Sequence, residues 1–311
     1  SGGDAPGVNS VIEAATRCLV SNGAEAWGIN GGFAGLLAGR LQRLEPTVLV
    51  GAGARGGALL GTSRERVLAE ANAPERLRQV WVDFQLDGLL IMGGDGTIRQ
   101  ASKILLEWGY PLLAIPCTID NDVPLTGQTL GHDSACNRAL PMMDAIRDTA
   151  TALSGRLFAL ETLGGHTGHI AIAVAFAAQA DAVCVPEIEI DAVRLGKRLA
   201  AAVEERGYGL CVIGEGIGDV PHFCTVLADS AGHRIRLTSM GHAQRGGPPS
   251  FFDRRLARAW GELAVTQLLA GFSGHMLVWR AGTTGLVPLS EVFTAPPRAV
   301  DMERYVLVNG E

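Results

Sequence analysis

The sequence predicts an α/β protein of two lobes. Three observations carry that expectation: the chain length, an alternation of strand-like and helix-like segments, and glycine-rich loops placed directly after apolar strands. At 311 residues the chain exceeds what one small core organises, and about two domains are expected. Residues 86–92 and 112–115 read as buried strands with a helix over 101–108 between them, the βαβ rhythm of a parallel sheet. Residues 157–160, 182–185 and 210–213 read as further short strands, separated by helices at 170–178 and 192–206, so the second lobe is α/β as well. A helix over 10–20 follows the opening loop. The segment 133–145 has helical spacing but holds Pro141, which removes a hydrogen bond and predicts a bend at a cost of about 3 kcal/mol. Neither a fixed-period repeat nor a low-complexity linker separates the lobes, so the chain is expected to cross between them more than once.

Composition narrows the function. With 47% hydrophobic and 19% charged residues, the chain has ample apolar surface to offset the entropy lost on folding. The formal net charge is −6, from 32 acidic and 26 basic residues. No block of Lys or Arg could track a nucleic-acid backbone, so nucleic acid is not an expected partner. An anionic substrate must then be met by local arginines. The six cysteines (Cys18, Cys117, Cys136, Cys184, Cys211, Cys224) are scattered without a C-x-x-C pair, as in a protein of the reducing cytoplasm. The most apolar stretch, 170–178, is shorter than the roughly 20 residues a membrane span needs. The chain opens on Ser1-Gly2-Gly3-Asp4 without a positively charged segment or apolar run, so no targeting peptide is expected from these residues, and a buried first strand is expected to have stood before them.

Three loops carry the candidate chemistry. In Ser1-Gly2-Gly3-Asp4-Ala5-Pro6-Gly7-Val8-Asn9 the glycines let backbone amides approach a phosphate, and the following helix adds its positive end; a plain tight turn reads equally well. Gly93-Gly94-Asp95-Gly96-Thr97 sets one carboxylate between glycines, as needed where an acid holds Mg²⁺ against nucleotide phosphates; the alternative is a left-handed turn with a solvated Asp. Pro116-Cys117-Thr118-Ile119-Asp120-Asn121-Asp122 offers two acids with separable tasks, one taking a hydroxyl proton and one managing charge near a metal; a capping or Asx-turn role remains open.

In this order the three loops resemble the 6-phosphofructokinase family, whose members show S-G-G-D-A-P-G-x-N, G-G-D-G-[ST] and P-x-T-I-D-N-D. Further matches are Gly61-Thr62-Ser63-Arg64, Val185-Pro186-Glu187, Glu215 and Gly241-His242-Ala243-Gln244-Arg245-Gly246-Gly247, and the resemblance covers nearly the whole chain. It implies a two-lobed phosphofructokinase fold of parallel-sheet sandwiches, with helices on both faces and the active site in the cleft between lobes. The donor lobe would hold 1–131 and about 248–293, and the sugar-phosphate lobe 132–247 and about 294–311. The implied reaction is glycolytic transfer of a phosphoryl group from ATP–Mg²⁺ to the 1-hydroxyl of fructose 6-phosphate.

By the same resemblance Asp120 is the base, Asp122 its partner, Asp95 the metal ligand and Arg64 the arginine that reaches the transferring phosphates. Gly3, Gly94, Gly96 and Thr97 belong to the donor's phosphate loops, and Thr118 touches both substrate and phosphate. Arg245 and His242 clamp the 6-phosphate, and Glu215 takes sugar hydroxyls. Arg156 and Arg236 match arginines that arrive from a neighbouring subunit, implying a homodimer or homotetramer with shared sites. Leu163-Gly164-Gly165 stands where many bacterial members have M-G-R, so Gly165 lacks a substrate-binding charge.

Pyrophosphate-users of the family often have a second Asp after Asp95 and a lysine after Pro116, whereas this chain has Gly96 and Cys117. ATP is therefore the expected donor, although Cys117 matches neither group and Gln100 replaces a small glycine. The alternatives are a pyrophosphate-dependent phosphotransferase and a non-catalytic nucleotide-binding relative.

Overall fold

The computed structural model describes residues 4–310. Its contacts divide the chain into two compact units, Ser1–Ser134 with Arg245–Arg298, and Ala135–Gln244 with Ala299–Glu311.

Along the chain, α1 (Val8–Ser21) leads through β1 (Trp27–Ile29), α2 (Gly32–Leu37) and β2 (Leu41–Arg43) to α3 (Ala73–Asp83), β3 (Leu89–Gly93), α4 (Ser102–Glu107), β4 (Leu112–Thr118) and β5 (Leu130–Gly131). Next come α5 (His132–Ala152), β6 (Arg156–Thr162), α6 (His169–Ala177), β7 (Ala182–Cys184), α7 (Ala192–Arg206), β8 (Tyr208–Gly214), α8 (Val220–Ala231) and β9 (Ile235–Ser239). The chain closes with α9 (Phe251–Leu269), β10 (His275–Arg280), β11 (Thr283–Pro288), α10 (Leu289–Thr294) and α11 (Met302–Asn309).

In the first unit the main sheet runs β11-β10-β4-β3, with β5 paired to the end of β4. Strands β3, β4, β5 and β10 run parallel, and β11 returns antiparallel through a hairpin. Every residue of β4 is buried, as expected for a strand flanked on both sides and covered on both faces. Leu77, Ile98, Leu105, Leu112 and Met276 are fully buried in its core. Helix α9 carries the fully buried Trp260, and a Cβ at Gly261 would come within 3.1 Å of the Val11 carbonyl of α1. Glycine there lets the two helices approach closely.

The second unit is a four-stranded parallel sheet, β7-β8-β6-β9. Its helices show why they start and stop. Asp191 caps α7 by accepting from the Arg194 amide at 3.0 Å, and Asp219 caps α8 through the His222 amide at 2.9 Å. Gly207 and Gly232 end those helices at φ 90° and 68°. Each cap contributes about 1 kcal/mol. Strand β7 is an edge, and Asn309 covers it: its amide accepts from Val183 N–H at 2.9 Å and donates to Val183 C=O at 3.1 Å, replacing a missing partner strand.

The strands and helices read from the sequence are all present, several with different ends. Helix 192–206 has the expected bounds. The strand expected over 112–115 continues to Thr118 because β5 pairs with Cys117 and Thr118. The helix expected over 101–108 is preceded by a π-helical turn, Thr97–Ala101. Helix α5 runs for 21 residues with Pro141 in its interior, longer than the 133–145 segment expected.

Candidate functional site

In the first unit, two strand ends present the candidate acids. At the end of β3, glycine is required at 93 because a Cβ there would lie 2.6 Å from the Thr97 side chain. Gly94 faces Thr118, whose Cβ would be 3.3 Å from a side chain at 94, so the two loops lie against each other. Between these glycines and Thr97 stands Asp95, whose Oδ1 accepts from Arg99 Nε at 2.6 Å.

After β4, buried Thr118 accepts from the Asp120 amide through Oγ1 at 3.2 Å. Asn121 then adopts φ 57°, a left-handed conformation that asparagine tolerates. This turn sets Asp120 and Asp122 on either side of a residue whose own side chain points inward. Asn121 Oδ1 accepts from Thr129 N–H at 2.9 Å, while Thr129 Oγ1 donates to Thr118 C=O at 2.7 Å. His132 Nδ1 lies 3.0 Å from Ile119 C=O, and burial pushes its pKa down to about 4, so it is neutral and donates to that carbonyl. The loop's backbone is thus held from behind by the β5–α5 junction.

Electrostatics tie the acids together. Asp122 is pushed up to about 6, first by burial and then by the charges of Asp120 and Asp95. Its Oδ1 is buried without a hydrogen-bond partner. Arg245 Nη2 lies 3.8 Å from Asp120 Oδ1. Arg298 donates to Asn121 C=O at 3.0 Å and Gly127 C=O at 2.8 Å, and its charge slightly offsets the rise at Asp122.

Among the described residues no three His, Cys, Asp or Glu side chains form a metal cage. Oxygen donors within electrostatic reach, one of them orphaned, nevertheless fit Mg²⁺, which keeps several waters and takes one or two carboxylates together with substrate phosphates.

Two further loops complete the first unit's set. Asn9 donates to the carbonyls of Arg55, Gly56 and Gly57 at 3.1, 3.3 and 3.1 Å and accepts from Leu59 N–H at 2.8 Å. It thereby fixes the loop leading to Arg64, which is exposed and extended. Gly56 packs backbone to backbone on Gly247, where a Cβ would meet the Gly247 oxygen at 2.2 Å. Behind Arg245, Asp253 of α9 is fully buried and accepts from Ser134 N–H at 2.9 Å and Ser134 Oγ at 2.5 Å. Ser250 N–H donates to the same Ser134 hydroxyl at 2.9 Å. The start of α5 therefore holds the Asp120 loop on one side and the start of α9 on the other. Gly3, expected in the donor's phosphate loop, lies outside the described residues.

In the second unit, Glu215 Oε1 accepts from Gly164 N–H at 3.1 Å and Gly165 N–H at 2.8 Å. Gln244 of the G-H-x-Q-R-G-G motif is buried and accepts from Leu163 N–H at 2.8 Å. The 163–165 loop is therefore shaped by two side chains of the expected site. Gly165 has φ 62°, a conformation that disfavours any side chain there. Arg156 begins β6, half-buried, and Arg236 is exposed on edge strand β9, paired with Phe158. His242 is exposed.

Sequence reasoning missed Asp253, Arg298 and Arg99. Ser250 three residues before Asp253 is a capping-box spacing that could have found the start of α9. Arg298 carries no local signal, since its partners are distant in sequence; for Arg99 the i,i+4 spacing from Asp95 was the available signal.

No helix among the described residues is long and apolar enough to cross a membrane. The family model described as phosphofructokinase matches residues 1–268. An ATP-dependent 6-phosphofructokinase of Thermotoga neapolitana is 33% identical over 99% of this chain and 97% of its own length. One from Pediococcus pentosaceus is 38% identical over 88% and 86%. A Pichia pastoris phosphofructokinase in the T-state superposes with a TM-score of 0.87 at 27% identity, covering 94% of this chain, which spans 34% of that longer one. A pyrophosphate-dependent phosphofructokinase from Marinobacter aquaeolei shares the fold at a TM-score of 0.85 and 23% identity, over 97% of this chain and 84% of its own.

Proposed function

The chain belongs to the phosphofructokinase family, and we propose that it transfers the γ-phosphoryl group of ATP to the 1-hydroxyl of fructose 6-phosphate, giving fructose 1,6-bisphosphate. The observation that carries this reading is the left-handed turn at Asn121. It presents Asp120 beside Arg245 and places Asp122 within reach of the charges of Asp120 and Asp95.

Asp120 accepts the proton of the 1-hydroxyl as that oxygen attacks phosphorus. Asp122 keeps the local charge high enough to hold a cation, and Asp95 is its ligand. Mg²⁺, when bound, neutralises charge on the phosphates. Gly3, Gly94, Gly96 and Thr97 bring bare backbone and a hydroxyl to the donor's phosphates, Thr118 positions the Asp120 amide, and exposed Arg64 stabilises the equatorial oxygens in transfer. Arg245 with His242 takes the 6-phosphate, and Arg156 and Arg236 add cations from a neighbouring copy of a homodimer or homotetramer. Glu215 takes sugar hydroxyls through the oxygen not engaged by Gly164 and Gly165.

ATP is the donor rather than pyrophosphate because position 117 supplies no charge. The Cys117 thiol is buried and pushed up to about 12, so it stays neutral where a pyrophosphate-user would place a lysine. Turnover measured side by side with ATP and pyrophosphate, with fructose 6-phosphate and Mg²⁺, tests this. The expected result is product from ATP with pyrophosphate at background, and equal or faster turnover with pyrophosphate would reverse the donor assignment.

A further inference from the structure

Asp95 is already ion-paired. Arg99, one helical turn further along, donates Nε to Asp95 Oδ1 at 2.6 Å, Nη1 to Phe293 C=O at 3.3 Å and Nη2 to Ala295 C=O at 2.9 Å. Asp95 is 34% exposed and Arg99 23%, so both are partly buried, the acid stays accessible and the guanidinium is fixed at three points. A lysine could not make this planar, forked contact. Arg99 sits within the π-helical turn Thr97–Ala101, which begins two residues after Asp95, an element that recurs at functional sites.

We infer that Arg99 selects, by charge, what binds at Asp95: it disfavours a bare divalent ion and favours one that arrives already bound to nucleotide phosphates. A free cation brings two positive charges to the open side of a carboxylate whose other oxygen carries a fixed positive charge, and the like charges repel. A metal–nucleoside triphosphate complex is anionic overall, so the same guanidinium attracts it. The pair also occupies Oδ1, which leaves Oδ2 as the oxygen open to a metal. This rests on the reading of Asp95 as the acid that meets the donor's metal ion.

The test is Mn²⁺ binding to the full chain by electron paramagnetic resonance, alone and with the β,γ-imido analogue of ATP. The readout is the ratio of the two dissociation constants, in wild type, Arg99→Gln, Arg99→Met, Arg99→Lys and Asp95→Asn. Both neutral variants are expected to shift the ratio toward the bare ion by about tenfold, the size of one fixed charge near a partly solvated site. Arg99→Lys, which keeps the charge, is expected to stay within about threefold of wild type. Two neutral variants guard against a misfolded one, each checked by circular dichroism. A ratio unchanged in the folded neutral variants overturns the inference and leaves the donor reading standing. If Asp95→Asn binds the metal–analogue complex as wild type does, the placement of the metal at Asp95 falls, and the inference with it.

Discussion

Replacing Asp122 by asparagine is expected to stabilise the protein while impairing catalysis. The Asp122 carboxyl titrates near 6 in the folded chain rather than at its ordinary 3.8, because burial and the charges of Asp120 and Asp95 disfavour its anion. Below about pH 4 the group is protonated whether the chain is folded or not, and it has no effect on stability. Between 4 and 6 the folded state holds the proton more tightly, so this residue's contribution falls as pH rises. Above about 6 the whole cost is present. The difference of roughly two pH units, at about 1.36 kcal/mol each, gives about 3 kcal/mol at pH 7 and about half of that at pH 5.

Asparagine keeps the shape without the charge, so Asp122→Asn should recover about 2–3 kcal/mol at pH 7. Urea unfolding in EDTA at pH 5 and pH 7 reads both values, and metal must be excluded because a bound cation would offset the cost of the buried anion that the experiment measures. Equal or lower stability of the variant at pH 7, or a gain that does not shrink toward pH 5, would refute the argument that burial, with the charges of Asp120 and Asp95 added, disfavours this anion.

Three other outcomes follow from the geometry. Gly56→Ala should raise the KM for fructose 6-phosphate at least tenfold with a smaller change in the KM for ATP, because a methyl 2.2 Å from the Gly247 oxygen must displace the loop carrying Arg245; steady-state kinetics showing equal changes for both substrates would contradict it. Asp253→Ala should cost about 2–4 kcal/mol in urea unfolding, since it strands the buried Ser134 amide and hydroxyl, and a loss under about 0.5 kcal/mol would show that the junction is held some other way. His132→Phe should flatten the loss of stability on acidification below about pH 6.5, because His132, neutral in the fold down to about 4, takes up its proton preferentially in the unfolded chain; an unchanged acid limb by thermal melts would refute this.

Much of the fold was legible where caps and stops are local. Asp191 and Gly207 frame α7 at the bounds the sequence implies, and the glycine loop at β3 and the acid-bearing loop at β4 stand at the carboxyl ends of their strands as expected. The β10–β11 hairpin was not legible. Its two-residue turn is Ala281-Gly282, both left-handed at φ 49° and 83°, and alanine in the first position lacks the Asn or Asp signal of such turns. The site divides the same way. Asp95, Asp120 and Asp122 stand out because short motifs hold them. Arg298 does not, because it acts on a carbonyl 177 residues away, and Arg99 was legible only as an i,i+4 partner of Asp95, since the carbonyl that fixes its other end lies 196 residues away.

In the proposed reaction Asp120 removes the proton from the acceptor hydroxyl, and rate set against binding in Asp120→Asn tests this most directly. The expected result is a fall in kcat of about 10² to 10⁴, with fructose 6-phosphate affinity by calorimetry within a few-fold of wild type. A variant that turns over at the wild-type rate, or that loses sugar binding and activity in equal measure, would show that Asp120 is not the base.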